Sequence, residues 1–117
     1  SERGRRMSAV EQAIEPFFVT VDGFEYSVLY TPREFGGRIS HFEFRHWKDG
    51  EESREACPLT ETGYRSHFFA PAIMDDYDTP QAGAIAAIES QQDLKKFSRY
   101  QAERLAAKAA AAQMSLF

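Results

Sequence analysis

Residues 17–30 read FFVTVDGFEYSVLY. Asp22-Gly23 is a strong signal for a two-residue hairpin loop, because a type I′ turn needs two residues that tolerate positive φ and its twist matches that of the flanking strands. Such a turn pairs Val21 with Phe24, Val19 with Tyr26 and Phe17 with Val28, and all six side chains then lie on one face of a sheet. Register and hydrophobic pattern agree, so the stretch predicts a β-hairpin with one apolar face.

Beyond it, RISHFEFRHW (residues 38–47) predicts a third strand with Phe42 and Phe44 inward and His41, Glu43 and Arg45 on the other face. KDGEESRE (48–55) is a polar turn carrying a second Asp-Gly. ACPLT (56–60) predicts a fourth strand, confined to a sheet edge by Pro58. The segment from Glu61 to Asp78 has no clear period; rich in aromatics and bounded by Gly63 and Pro71, it predicts a long packed loop with one extended stretch. Before the hairpin, Ser8 and Glu11 have capping-box spacing. With Val10, Ala13 and Ile14 on one face and Pro16 as the stop, they predict a short helix at 9–15.

Thr79-Pro80 is a good helix start, threonine at the cap and proline in the first turn, with Ile85 and Ile88 as the inner face. Ser90 to Asp93 repeats the capping-box spacing and predicts a break near there, followed by a second helix over 91–112 with Leu94, Phe97 and Leu105 as its apolar stripe. After Leu105 that stripe is only alanine. Such a helix has high propensity but nothing large to bury, so it is expected to project past the body. The architecture is α+β: one domain over residues 1–112, a meander of three or four antiparallel strands covered on one face by C-terminal helices, and a tail peptide at 113–117.

The 117 residues suffice for one modest core. A hydrophobic share of 43% and an aromatic share of 14% are those of a folded protein; no run approaches the roughly 18 apolar residues of a membrane span, so no membrane partner is expected. The arginines of SERGRRMSAV are followed by no apolar stretch, so no secretory signal is expected, and Met7 reads as a natural start preceded by residues 1–6. The single cysteine, Cys57, cannot pair within the chain and fits a reducing cytoplasm. Net charge is −4, but residues 94–117 carry +4 and residues 7–93 carry −10. An acidic body thus bears a basic helix, which serves as a solvated face, a docking face or an auxiliary contact to DNA. Lys95, Lys96, Arg99 and Arg104 interleave with Tyr100 as in nucleic-acid binders, while the acidic body opposes strong DNA binding.

Metal and cofactor chemistry find little support. His41 and His46, five apart in a strand, point to opposite faces, and one cysteine makes no paired ligand spacing. No glycine-rich phosphate loop, nucleophile elbow or HExxH occurs, so neither a metal nor a cofactor is expected. DDYD (75–78) is an acidic turn ahead of a helix N-terminus, where negative charge is favourable anyway. The body's best candidate site is TGYRSHFF (62–69). If extended, it puts Arg65 and His67 on one face and Tyr64, Ser66 and Phe68 on the other. Arg65 and His67 could then hold a phosphate or carboxylate, and an Arg with a His is the minimum for acid/base work on a phosphodiester. The alternative is a packed segment anchored by aromatics with Arg65 paired to an acid. In character the segment is similar to small proteins of plasmids and phages.

The last five residues, Gln113-Met114-Ser115-Leu116-Phe117, resemble the bacterial sliding-clamp-binding pentapeptide: Gln, an aliphatic residue, Ser or Asp, Leu, Phe. Met114 is the one departure from the commonest form. The resemblance implies that Gln113 hydrogen-bonds in a small side pocket of the clamp while Met114, Leu116 and Phe117 fill an apolar groove. Burial of about 1.5–3 kcal/mol for each apolar side chain, less the cost of ordering a tail, corresponds to roughly micromolar affinity. The alternative is that Leu116 and Phe117 fold back on the domain or pair with a second copy. The expectation is a non-enzymatic accessory or inhibitory protein of DNA replication or repair tethered to the sliding clamp. Its rivals are a small phosphate-binding protein or hydrolase using Tyr64-Arg65-Ser66-His67, and a homodimeric interaction module of a mobile element. The oligomeric state is not legible in the sequence.

Overall fold

A computed structural model describes residues 14–114. The fold is α+β, built on an antiparallel sheet. Strands β1 (Ile14–Val21) and β2 (Phe24–Glu34) form the hairpin with the expected register, Val21 opposite Phe24, Val19 opposite Tyr26 and Phe17 opposite Val28. Its turn has φ of 51° at Asp22 and 83° at Gly23, the two positive values that the Asp-Gly pair was read for. Strand β3 (Ile39–Lys48) pairs with β2, burying Phe42 and Phe44. A register shift between Thr31 and Glu34 accommodates Pro32, whose carbonyl accepts the buried Ser40 hydroxyl at 2.7 Å. The predicted N-terminal helix lies outside the described residues except at its end, where Ile14 and Glu15 belong to β1.

The fourth long position in the sheet is taken differently from the expectation. After a short β4 (Glu51–Glu52), the strand that runs along β3 is β5 (Tyr64–Phe69). ACPLT makes only a tight turn in which Cys57 and Thr60 exchange backbone hydrogen bonds of 2.8 and 3.1 Å. Pro58 lacks the N–H a ladder needs, whereas six alternating residues of β5 pair with Ser40–Arg45. Gly63 sets the approach to β5: its φ is +84° and a Cβ there would meet the Ser53 carbonyl oxygen at 2.3 Å.

A 3₁₀ turn (Pro71–Asp76) leads to α1 (Pro80–Gln91). Thr79 caps α1, its hydroxyl accepting the Ala82 N–H at 3.1 Å. Ala84 and Ile88 close the core over Val19, Tyr26, Val28, Phe44 and Phe69; burying Ile88 completely is worth about 1.5–3 kcal/mol. The chain breaks at Gln92-Asp93 as expected, but Asp93, not Ser90, caps α2 (Leu94–Met114) by accepting the Lys96 N–H at 2.9 Å. The predicted apolar stripe of α2 reduces to one contact, Phe97 against Phe24 at 5.2 Å, edge to face. Leu94 and Leu105 are exposed, as is every described residue from Ser98 to Gln113. The helix therefore projects, as its alanine content predicted, and the molecule reaches 73 Å along its longest axis against 26 and 22 Å across.

Candidate functional site

Strand β5 alternates as its sequence predicted: Arg65, His67 and Phe69 lie on the helix-covered side, and Tyr64, Ser66 and Phe68 on the open side. Arg65 and His67 share a face but serve different surroundings. Arg65 Nη1 donates to the Leu59 carbonyl at 3.3 Å and lines a groove of about 490 Å³ with Cys57, Leu59, Lys96, Phe97 and Tyr100. His67 lies outside that lining; its Nδ1 accepts a bond from Gln91 Nε2 at 2.9 Å and its ring stacks on Phe69. Burial, then the neighbouring Arg65 charge, lowers the His67 pKa below its ordinary 6.5, so the ring is neutral at pH 7. The groove is balanced in charge, since Lys96 Nζ bonds Glu61 at 2.9 Å.

The open side brings together residues far apart in the chain. His41 of β3 lies opposite Phe68 and diagonal to Ser66. Its ring stacks flat on Phe68, centroids 4.0 Å apart and planes 6° from parallel. Nε2 accepts the Ser66 hydroxyl at 2.5 Å and Nδ1–H donates to Glu34 Oε1 at 3.3 Å. Only 7% of His41 is exposed, while Ser66 is open to solvent. An ionised carboxylate can only accept, which fixes the tautomer and leaves Nε2 as the lone-pair nitrogen toward Ser66. Beside them Tyr64 donates its phenol proton to Glu43 Oε1 at 2.9 Å, and Arg45 stacks over the Tyr64 ring at 5.0 Å. Burial first, and then the Glu43 bond, raise the Tyr64 pKa, so the phenol keeps its proton.

The sequence showed Ser66 as a strand neighbour of Arg65 and His67 but not its contact with His41, nor that of His41 with Glu34. The available signal was weak: His41 stood on the polar face of its strand, which is where a histidine without a core role would be, and Glu34 carried no signal. Their junction depends on which segment pairs with β3, and that segment was expected to be 56–60. His46, on the opposite face as predicted, is committed to structure, its Nδ1–H donating to the Glu55 carbonyl at 2.9 Å.

On α2 the basic residues divide. At about 100° per residue, Lys95, Lys96 and Arg99 fall within one quarter to one third of the circumference, while Arg104 and Lys108 fall on the side of Phe97. Arg104 accordingly shares a second groove with Asp49 and Glu55. Of the tail residues, Gln113 is exposed on the last turn of α2 and Met114 ends the helix; Ser115, Leu116 and Phe117 lie outside the described residues. No described helix is long and apolar enough to cross a membrane.

Comparison with known proteins adds one finding. No curated protein and no solved structure matches the chain. The family model described as the KlcB third domain matches residues 14–110, a span that holds the five strands found among the described residues, α1 and most of α2 and stops short of Gln113. With that span, and with it the Glu34–His41–Ser66 face, inside the match, the chain belongs to the KlcB third-domain family.

Proposed function

We propose that this protein is an accessory or inhibitory factor of DNA replication or repair, held on the bacterial sliding clamp by Gln113–Phe117. The observation that carries the reading is the helix that leads to the pentapeptide: beyond Phe97, which packs on Phe24, its residues are exposed as far as Gln113. Tyr100, Gln101 and Arg104 still line grooves against the body, and the nine exposed helical residues beyond them, Leu105 to Gln113, span about 14 Å at 1.5 Å each. A peptide at that distance reaches a groove on a partner without displacing anything in the sheet. The acidic body then stands off from the clamp, where it occludes competing partners or carries one of its own.

The family is plasmid-associated, in keeping with the mobile-element character of the chain. Lys95, Lys96 and Arg99, which share one side of the helix near the body, supply an auxiliary contact to DNA encircled by the clamp.

The test is fluorescence anisotropy of the labelled full chain titrated with purified sliding clamp, beside the double variant Leu116→Ala/Phe117→Ala. Binding at micromolar or tighter concentration that disappears in the variant is expected. Equal binding by both, or none by either, overturns the tether.

A further inference from the structure

The open edge of the sheet carries an arrangement that a tether does not use. We propose that Ser66 is an activated nucleophile, with His41 as its general base and Glu34 as a positioning residue, acting on neutral esters with apolar substituents.

Four observations converge. The order of contacts is that of a nucleophile, a base and an orienting acid: Ser66 Oγ to His41 Nε2 at 2.5 Å, and His41 Nδ1 to Glu34 Oε1 at 3.3 Å. The base is shielded and held flat against Phe68, while the nucleophile is exposed. A backbone donor accompanies it. His46 N–H bonds the Gly63 carbonyl at 2.8 Å, and alternation along the ladder from that pair makes Phe44–Arg65 and Phe42–His67 the bonded pairs. The Ser66 N–H therefore points away from β3 to the free edge of β5, where it can bond an oxyanion formed at its own Oγ. The Tyr64 carbonyl, of the same parity, accordingly accepts the Thr60 hydroxyl at 2.8 Å rather than a bond from β3.

Surroundings choose the substrate. Phe68 and Phe35 are half or more exposed beside the relay and offer apolar surface to an acyl chain. Glu43, opposite Ser66 in the ladder, and Glu34, on the far side of the His41 ring, disfavour anions. In the first step the Ser66 Oγ–carbon bond forms, the carbonyl electron pair moves to oxygen and the hydroxyl proton passes to His41 Nε2. Collapse of the adduct breaks the ester C–O bond, and the departing alcohol takes the proton from Nε2. Water, deprotonated by His41, then releases the acid and restores Ser66.

The test is reaction of the full chain with an alkyl fluorophosphonate, read by intact mass and by peptide mapping. Here the Ser66 Oγ–phosphorus bond forms as the phosphorus–fluorine bond breaks, fluoride leaves and the proton goes to His41. A single adduct on Ser66 is expected, absent in Ser66→Ala and formed at least about 100-fold more slowly in His41→Gln. Glu34→Gln should slow labelling and Glu34→Asp should restore most of it, because a carboxylate at this place holds the His41 ring with Nε2 toward Ser66. Circular dichroism and thermal melting verify folding. If His41→Gln does not fold, the wild-type pH profile decides: labelling must fall as an imidazole takes up its proton, and a flat profile overturns the proposal. Absence of an adduct in the intact protein, or its persistence in Ser66→Ala, also overturns it. The Leu116→Ala/Phe117→Ala variant should label as the wild type does, so this proposal and the tether stand or fall separately.

Discussion

Gln91, the last residue of α1, donates its side-chain amide to Nδ1 of His67 in β5 across 2.9 Å, locking the helix layer to the edge of the sheet. The bond needs a lone pair on that nitrogen, and burial of the ring disfavours a second proton.

Stability should therefore depend on pH through His67. Its pKa in the folded state lies below 6.5, the ordinary value that the unfolded chain retains. Above 6.5 both states are neutral at this site. As the pH falls from 6.5 toward the lower folded value, the unfolded chain binds a proton that the folded one does not, so stability decreases over that window. His67→Gln should remove this part of the slope. Urea midpoints for both proteins between pH 7.5 and 5 are the measurement, and parallel curves would show that His67 is not its source.

Gly63→Ala should be strongly destabilising. The new Cβ would meet the Ser53 carbonyl oxygen at 2.3 Å and the Arg54 Cα at 2.8 Å, both backbone atoms, at a φ of +84°. Strain and overpacking together are expected to cost about 2–4 kcal/mol. Equilibrium urea denaturation reads the loss; a change under 1 kcal/mol would mean that the 53–54 segment yields without cost.

Two of the large apolar side chains of α2 should behave differently. Phe97→Ala removes the edge-to-face contact with Phe24 and is expected to cost about 1–2 kcal/mol. Leu105, 68% exposed, should tolerate alanine within about 0.5 kcal/mol. Thermal melts of both variants test the division, and a large loss at Leu105 would show that the projecting helix has a partner in solution.

Much of the sheet was legible because its signals are local. The Asp22-Gly23 turn imposes register on residues that immediately flank it, and alternation within RISHFEFRHW and YRSHFF assigns each side chain a face. Thr79-Pro80 likewise marks a helix start through groups within one turn of each other. The stripe assigned to α2 was misleading for the converse reason. Periodicity states which residues share a side, not whether anything covers that side, and only Phe97 meets the sheet.

The sequence by itself determined the hairpin register, the inward set of β3, the helix cap at Thr79, the break near Asp93 and the projection of an alanine-rich helix. Each follows from backbone preferences or side-chain period over a few residues. Only the tertiary structure decided that Tyr64–Phe69 rather than residues 56–60 lies along β3, and so that Ser66 meets His41 and Glu34. That choice is a competition between distant segments for one row of hydrogen bonds. It is settled by a missing N–H at Pro58, the tight passage at Gly63 and the burial of Phe69 on Tyr30 and Phe42. These terms act between residues that the sequence keeps apart, which is why the relay became visible only with the fold.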